Sequence, residues 1–283
     1  RAQVTSELPP AAVSMTDLIH TAELDFYGKQ LASAGSDRRI KIFEVVDGAQ
    51  RQQTAELVGH DGPIWQVAWA HPEFGNVLAS CSYDRQVFVW KEHSPQHWVL
   101  VHKYLGAEGS VNSLSWAPRE FGLRLACASS DESVAVLSFH GEGQWSSEVF
   151  TAHKTGVNAV GWAPAACGMR LVTGGCDNLV KIWAFDEAAA GWLEAEALPA
   201  VHTDWVRDVA WAPTVGGAPE VIASCSQDKK VAIWTRDRAQ GDGEWRPKTL
   251  QMPAVVWSVS WSVSGGILAA AGGDNQVTLW RET

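Results

Sequence analysis

A histidine, a hydroxyl residue, an aspartate and a tryptophan occur together at three places in the chain, in the same order and at similar spacing. Histidine, serine and aspartate are the residue types of a catalytic triad, in which the aspartate orients the histidine and the histidine takes a proton from the serine. The three sets are His60, Ser80, Asp84 and Trp90; His153, Thr173, Asp177 and Trp183; and His202, Ser224, Asp228 and Trp234.

A structural role accounts for these sets better than catalysis does. A catalytic triad occurs once in a protein, whereas this set recurs at the same places of a repeated pattern. Inside a sheet, a histidine–aspartate contact and a hydroxyl that bridges to the indole N–H would satisfy four polar groups at once. We therefore predict that the three sets are buried networks that fix the register of the strands carrying them.

Other enzyme signatures are weak. The sequence has no glycine-rich phosphate loop with a lysine and no zinc-binding HExxH helix. Ser82-Tyr83-Asp84 followed by Trp90 is similar to the aspartate box of six-bladed sialidases, but the tryptophan lies one residue too far away and the glycine is absent. We predict a protein that is not an enzyme, with no catalytic, cofactor-binding or metal-binding residues.

The aspartates of the three sets belong to a longer repeat. Six turn aspartates follow one another at intervals of 47, 47, 46, 51 and 46 residues, at Asp37, Asp84, Asp131, Asp177, Asp228 and Asp274. Two strand-like segments precede each aspartate and a third follows it, and a period of this length is typical of a β-propeller. We predict an all-β fold with six blades in a single domain over residues 1–283, with units near 18–58, 59–106, 107–152, 153–201, 202–253 and 254–283.

The first strand of each unit alternates apolar residues and ends in an aromatic residue. Five copies are clear, at Ile64–Trp69, Val111–Trp116, Val157–Trp162, Val206–Trp211 and Val256–Trp261. In unit one we expect the same shape at Leu24-Asp25-Phe26, with Phe26 in the position of the tryptophan. The two end units depart from the pattern, because Phe43 closes unit one, and unit six lacks the histidine and has Ala270 in place of the hydroxyl.

Charge, hydropathy and cysteine spacing narrow the possible partners. The net charge of −10 argues against direct binding of nucleic acid, which needs basic residues to replace the counterions of phosphates. No run of eighteen apolar residues is present, so we expect no direct insertion into a membrane. The five cysteines have no CxxC spacing, which favours a reducing compartment such as the cytosol or the nucleus.

Unit six has no segment after its third strand that could form a fourth. The missing strand could come from Val13–Leu18, from residues beyond Thr283, or from no part of the chain. A ring closed through the N-terminal segment would be an ordinary six-bladed disc. An open ring would expose a strand edge and an apolar face, which another chain would have to cover.

Several motifs resemble the WD-repeat family. The Gly-His and Trp signatures of that family match Gly59-His60, Trp90, Trp183, Trp234 and Trp280. Longer phrases are similar to the scaffold propellers of this family in the outer cage of the COPII vesicle coat and in the Y-shaped complex of the nuclear pore. These phrases are Gly59–Pro72, Leu78–Arg85, Gly174–Asn178, Asp204–Pro213 and Gly272–Asn275.

The resemblance implies an open six-bladed propeller that accepts a β-blade in trans from an α-solenoid coat or nucleoporin subunit. It implies a cytoplasmic scaffold in a large hetero-oligomeric lattice, peripheral to the ER membrane and COPII vesicles in ER-to-Golgi transport, or at the nuclear pore. We expect the gap to be lined by Leu18, Leu24 and Phe26 on one side, and by Val256, Trp257, Val259 and Trp261 on the other. Phe26 and Trp261 fit the blade interior better, whereas Leu18 and Trp257 fit an interface better.

The alternative is a closed propeller that acts as a peptide-binding adaptor at the mouth of its channel. Such sites gather aromatic and acidic residues in the loops around the axis. The loops at Asp61-Gly62, Lys154–Gly156 and Thr203-Asp204 are short and mixed, and they do not favour this alternative.

Overall fold

A computed structural model describes residues 17–47, 49–213, 219–237 and 243–281. Its strands form six antiparallel sheets in chain order, and the prediction of an all-β, six-bladed propeller is confirmed. Most of the Val13–Leu18 segment lies outside the described residues.

The blades follow one another along the chain, each with its strands paired in sequence order. Blades one to three contain β1 (Ile19–Leu24), β2 (Gln30–Gly35), β3 (Arg39–Val46) and β4 (Ala49–Val58); β5 (Ile64–Trp69), β6 (Val77–Ser82), β7 (Val87–Ser94) and β8 (His97–Tyr104); and β9 (Val111–Trp116), β10 (Arg124–Ser129), β11 (Ser133–Gly141) and β12 (Gln144–Thr151). Blades four to six contain β13 (Val157–Trp162), β14 (Arg170–Gly175), β15 (Val180–Asp186) and β16 (Gly191–Ala197); β17 (Val206–Trp211), β18 (Glu220–Ser226), β19 (Lys230–Arg236) and β20 (Arg246–Gln251); and β21 (Val256–Trp261), β22 (Ile267–Gly272) and β23 (Val277–Arg281).

Each blade turns between its second and third strands at the aspartate that marks the repeat. In all six turns the aspartate side chain accepts a hydrogen bond from the backbone N–H two residues later, as Asp84 does from Gln86 at 2.9 Å. The residue between them has a positive φ, for example 70° at Arg85 and 68° at Asn178. The carboxylate therefore holds a left-handed turn residue in place, which explains why the repeat requires aspartate.

Every first strand has a β-bulge directly after its first residue. In blade two, Ile64 pairs with Ser82 and Gln66 pairs with Cys81, so Trp65 has no residue opposite it. A bulge interrupts the alternation of side chains between the two faces of a strand. The six bulged residues line one mouth of the channel, and they are His20, Trp65, Asn112, Asn158, Arg207 and Trp257.

The first strand of blade one ends earlier than predicted. Trp69 of blade two lies opposite Leu78, and the equivalent pair in blade one is Leu24 opposite Leu31. Leu24, and not Phe26, therefore occupies the position of the tryptophan. Phe26 lies beyond the strand in a turn that is closed by a hydrogen bond from Gly28 N to Asp25 O, and it is exposed.

The apolar cores lie between blades. Each of the five hydrophobic clusters is shared by two consecutive blades, from the pair of blades one and two to the pair of blades five and six. Ile42 of blade one, for example, packs in one cluster with Ile64 and Val67 of blade two. Consecutive first strands also lie side by side from β1 to β21. In the described part of the chain, no cluster joins blade six to blade one, and β21 does not pack along β1.

Helical structure in the described ranges consists of three short 3-10 segments between first and second strands, at Pro72–Phe74, Arg119–Phe121 and Ala165–Cys167. None of the described residues forms a helix that could cross a membrane.

Candidate partner interface on the first and last blades

The predicted polar networks form completely in blades two and four. His60 Nδ1 lies 2.9 Å from Asp84 Oδ2, and His60 Nε2 lies 2.9 Å from Ser80 Oγ. Ser80 Oγ also accepts a hydrogen bond from Trp90 Nε1 at 3.1 Å. In blade four the corresponding distances are 2.8, 2.8 and 2.9 Å, among His153, Asp177, Thr173 and Trp183.

The network of blade five stops one bond earlier. His202 Nδ1 lies 3.2 Å from Asp228 Oδ2, and His202 Nε2 lies 2.6 Å from Ser224 Oγ. Trp234 Nε1 is buried without a hydrogen-bond partner among the described residues, so the predicted link from this tryptophan to Ser224 is absent. The Trp234 ring instead meets the His202 ring edge-on, with the ring centroids 6.0 Å apart.

These networks have the connectivity of a catalytic triad, but their hydroxyl groups are enclosed. Ser80, Thr173 and Ser224 are completely inaccessible to solvent. Burial alone would raise the pKa of Asp84, but the hydrogen bond and charge of His60, together with backbone N–H groups, hold that pKa below its usual range. No substrate can approach the hydroxyl groups, so the networks fasten loops to strands. No group of three or more potential metal ligands occurs in the described ranges.

Blades two to six each pack one face against the blade before them. On blade one, no cluster of the described residues covers the equivalent face. Ile64 of blade two is fully buried against blade one, whereas the equivalent Ile19 is 46% exposed. Leu24 on the same face is 51% exposed. Leu18, directly before β1, is also exposed, and its backbone carbonyl accepts a hydrogen bond from Ser36 N at 2.9 Å.

Blades one to five each pack their opposite face against the blade after them. On blade six, no cluster in the described ranges covers that face. In blade two this face carries Val87 and Val89, which are fully buried in the cluster shared with blade three. The equivalent residues of blade six, Val277 and Leu279, are 67% and 48% exposed. Ile267, on the same face, is exposed as well. We refer to this face of blade six and the uncovered face of blade one as the terminal faces.

Known proteins share this repeat and this length. A family model described as WD domain, G-beta repeat matches residues 51–91, 144–184, 199–235 and 247–281. The human Protein SEC13 homolog is 51% identical over 95% of this chain and 88% of its own length. The chain belongs to the Sec13 family of WD-repeat proteins. The Sec13-family proteins of Neurospora crassa and Yarrowia lipolytica, both named as protein transport proteins, are 56% and 48% identical over 94% of this chain, and over 91% and 92% of their own lengths. Membership of this family confirms the resemblance to WD-repeat scaffold propellers. It also agrees with the prediction of a structural protein that is not an enzyme.

Three residues predicted to line the gap of this Sec13-family propeller lie on the other side of blade six. Val256 and Val259 are buried in the cluster shared with blade five, and Trp261 donates its indole N–H to Ala210 O of blade five at 3.2 Å. The prediction for these three residues is wrong, because the bulge at Trp257 shifts the alternation and places them together on the face toward blade five. Trp257 lies at the channel mouth, half-exposed, with the Arg207 guanidinium 4.9 Å from its ring centroid.

The sequence analysis missed the exposed apolar residues of β22 and β23 in this Sec13-family chain, namely Ile267, Val277 and Leu279. An alignment of the repeats would have paired them with the apolar residues Val77, Val87 and Val89 of blade two. That alignment shows which residues share a face. It does not show that this face of the last blade lacks a neighbour.

A cavity of about 170 Å³ lies beside Trp261 and Trp280 in this Sec13-family propeller, where blade six has three described strands. In other blades, a tryptophan in or near the fourth strand packs against the tryptophan that ends the first strand. The ring centroids are 5.8 Å apart for Trp69–Trp98, 5.5 Å for Trp162–Trp192 and 6.1 Å for Trp211–Trp245. The cavity lies against Trp261 on the side where Trp98, Trp192 and Trp245 lie in those blades.

Proposed function

We propose that this chain is a structural subunit of a protein-transport coat, and that it accepts a β-blade of a partner between its first and last blades. The observation that carries the proposal is that six described blades share five hydrophobic clusters. The two terminal faces expose Ile19 and Leu24 on one side and Val277 and Leu279 on the other. A blade placed between them would supply the two missing cores.

The terminal faces suit a permanent partner. An inserted blade packed on both faces would bury on the order of 2,000 Å², which is the range of permanent complexes. An exposed sheet edge with apolar side chains promotes aggregation unless another chain covers it. We propose that the partner is a large α-solenoid coat subunit, and that the propeller stiffens it by clamping its blade.

The names of the fungal relatives, which are protein transport proteins, support a role in transport. Together with the motifs that resemble scaffold propellers, they lead us to propose a place in the COPII coat, peripheral to the ER membrane. The same motifs support a second place in the nuclear pore scaffold, with a nucleoporin as the partner. The identity of the donated blade would then decide between the two assemblies.

A closed, peptide-binding ring would need a sixth core between blades six and one. The described residues of those blades form no such core, and their apolar residues are exposed. This observation supports the open ring over the closed alternative.

The substitution Leu279→Asp tests the proposal, with Leu193→Asp as the matched control. Leu279 and Leu193 are 48% and 49% exposed, but Leu193 lies on β16, the outermost strand of blade four. Each tagged variant would be captured from its own cells after crosslinking, and crosslinked peptides would be assigned by mass spectrometry. We expect Leu279→Asp to fold and to lose a large helical-repeat coat or pore subunit that Leu193→Asp retains. Retention of that subunit by both variants would contradict the proposal.

A further inference from the structure

Consecutive blades are joined by a repeated hydrogen bond to a side chain. The acceptor is the side chain of the residue that follows the bulge. The donor is a backbone N–H in the first strand of the next blade, and it belongs to the residue two positions before the tryptophan that ends that strand. The pairs are Val67 N to Thr21 Oγ1 at 3.4 Å, Leu114 N to Gln66 Oε1 at 2.7 Å, Val160 N to Ser113 Oγ at 3.3 Å and Val259 N to Asp208 Oδ2 at 3.0 Å. Blade four has Ala159 at this position and therefore offers no acceptor.

A second repeated bond uses the terminal tryptophan. Its indole N–H donates to a backbone carbonyl near the end of the preceding first strand. The pairs are Trp69 Nε1 to Glu23 O at 3.0 Å, Trp116 Nε1 to Ala68 O at 2.9 Å and Trp261 Nε1 to Ala210 O at 3.2 Å. Both bonds form between blades one and two, two and three, and five and six. The equivalent donors of blades four and five, Trp162 Nε1 and Trp211 Nε1, have no hydrogen-bond partner among the described residues. Where both bonds form, they fix how far one first strand is shifted along the next.

The bulged residue makes a third forward contact. Asn112 Nδ2 and Asn158 Nδ2 each donate to the carbonyl of the first residue of the next blade's first strand, Val157 O and Val206 O, at 2.9 Å. Trp65 Nε1 donates to Ser110 Oγ, directly before the first strand of blade three, at 2.9 Å. The other two contacts involve rings: the His20 and Trp65 ring centroids are 4.8 Å apart, and the Arg207 guanidinium lies 4.9 Å from the Trp257 ring centroid.

Blade six presents the same three groups, two of them on its terminal face and the third at the channel mouth. Ser258 is at the acceptor position, the carbonyl of Ser260 is at the position that receives an indole, and Trp257 is the bulged residue. All three residues are exposed. The Ser258 hydroxyl donates to Asp208 Oδ2 at 2.9 Å, which leaves its oxygen lone pairs able to accept.

We propose that the partner blade presents to blade six a first strand of this chain's own type: a β-strand that gives a backbone N–H to Ser258 Oγ and, two residues later, a tryptophan whose indole N–H binds Ser260 O. This inference rests on the proposed function, and it adds the chemistry by which the partner is recognised. Hydrogen bonds require short distances and favourable angles, so two of them at defined positions fix how far the partner strand is shifted along β21.

The chain itself contains a suitable test ligand. The terminal face of blade six is equivalent to the face of blade two that packs against blade three. Its residues Ile267, Ala269, Ala271, Val277 and Leu279 occupy the positions of Val77, Ala79, Cys81, Val87 and Val89. A second copy of blade three, residues 107–152, therefore has a strand and a packing face that fit blade six. This copy, joined to a fluorescent carrier and first checked for sheet structure by circular dichroism, is titrated against the intact chain as a second readout beside capture of the natural partner.

We expect the blade-three copy to bind the chain, and to bind about tenfold more weakly when the copy carries Trp116→Phe, which removes the indole donor and keeps an aromatic ring. Ser258→Ala in the chain should weaken binding several-fold, whereas Ser147→Ala, at an exposed serine of β12, should not change it. Capture of the natural partner should fall with Ser258→Ala in the same way.

The outcomes separate this inference from the proposed function. One outcome would keep the blade insertion and overturn the hydrogen-bonded register. In that outcome Leu279→Asp abolishes binding of the copy and capture of the partner, while the Trp116→Phe copy and the Ser258→Ala chain bind fully. No effect of Leu279→Asp on either assay would overturn both. The capture assay decides on the intact chain: capture of the natural partner by Ser258→Ala at the level of Ser147→Ala would overturn the inference, whatever the blade-three copy does.

Discussion

Val87 and Val277 occupy the same position of the repeat, opposite Cys81 and Ala271, yet Val87 is fully buried and Val277 is 67% exposed. The difference comes from the neighbouring blade. Blade three packs against Val87, whereas Val277 belongs to no hydrophobic cluster of the described residues. Full burial of such a side chain stabilises by about 1.5–3 kcal/mol. This free energy is already used inside the propeller at Val87, and at Val277 it remains available to a partner.

This pair yields a direct test of the terminal face. We expect Val87→Asp to lower the free energy of unfolding by about 3 kcal/mol or more, because it buries an unpaired charge. Val277→Asp should change it by less than about 0.5 kcal/mol, since the side chain stays in water. Urea unfolding of the isolated chain measures both values. Comparable destabilisation by the two substitutions would mean that Val277 is covered within the chain.

The hydroxyl groups of blades two and five should differ in their contribution to stability. Ser80→Ala leaves both His60 Nε2 and Trp90 Nε1 without a partner, whereas Ser224→Ala deprives only His202. Each buried group left unpaired costs about 1–3 kcal/mol, so we expect Ser80→Ala to destabilise more than Ser224→Ala. Unfolding in urea, with Ser147→Ala as the exposed control, provides the comparison. Equal losses would show that the Trp90 bond adds nothing.

Stability should depend on pH through Glu23. This carboxyl lies among tryptophans at the channel mouth opposite the bulged residues, and burial raises its pKa to about 7 although Trp69 offers a backbone hydrogen bond. A carboxyl whose pKa is raised by folding contributes stability below its unfolded pKa, and this contribution is lost as the pH rises through the folded value. We expect Glu23→Gln to be more stable than the unmodified chain by about 1 kcal/mol at pH 8, with a smaller difference at pH 5. A difference that does not change between these pH values, measured by urea unfolding, would exclude ionisation of Glu23 as the cause.

The cavity beside Trp261 should accept an aromatic side chain on an added strand. A copy of residues 237–251, which carries Trp245 and the β20 strand, can be fused after residue 283. We expect this extension to raise the free energy of unfolding by about 1–3 kcal/mol, through strand pairing on β23 and burial of the indole. The same extension with alanine in place of the tryptophan is the control. An equal gain from both extensions would show that the cavity does not receive the ring.

The fold followed from the sequence because its signals are local and repeated. Each turn aspartate accepts a bond from a backbone N–H two residues away, so Asp84 and its five counterparts mark the blades without any knowledge of distant contacts. The networks of His60 and His153 were also predictable, since each one joins strands of a single blade. Even so, the sequence did not reveal that Trp234 stays unpaired, because that depends on small shifts in side-chain position.

The faces of the terminal blades were decided by the tertiary structure. A strict alternation would place Trp257, Val259 and Trp261 on one face, but the bulge turns Trp257 to the channel and groups Val256 with Val259 and Trp261 against blade five. Val277 and Val87 are the same residue type at the same position of the repeat. Their exposure differs only because a neighbouring blade packs against Val87. Repetition in sequence therefore determines the blade, while the arrangement of blades in space determines which of its faces is left for a partner.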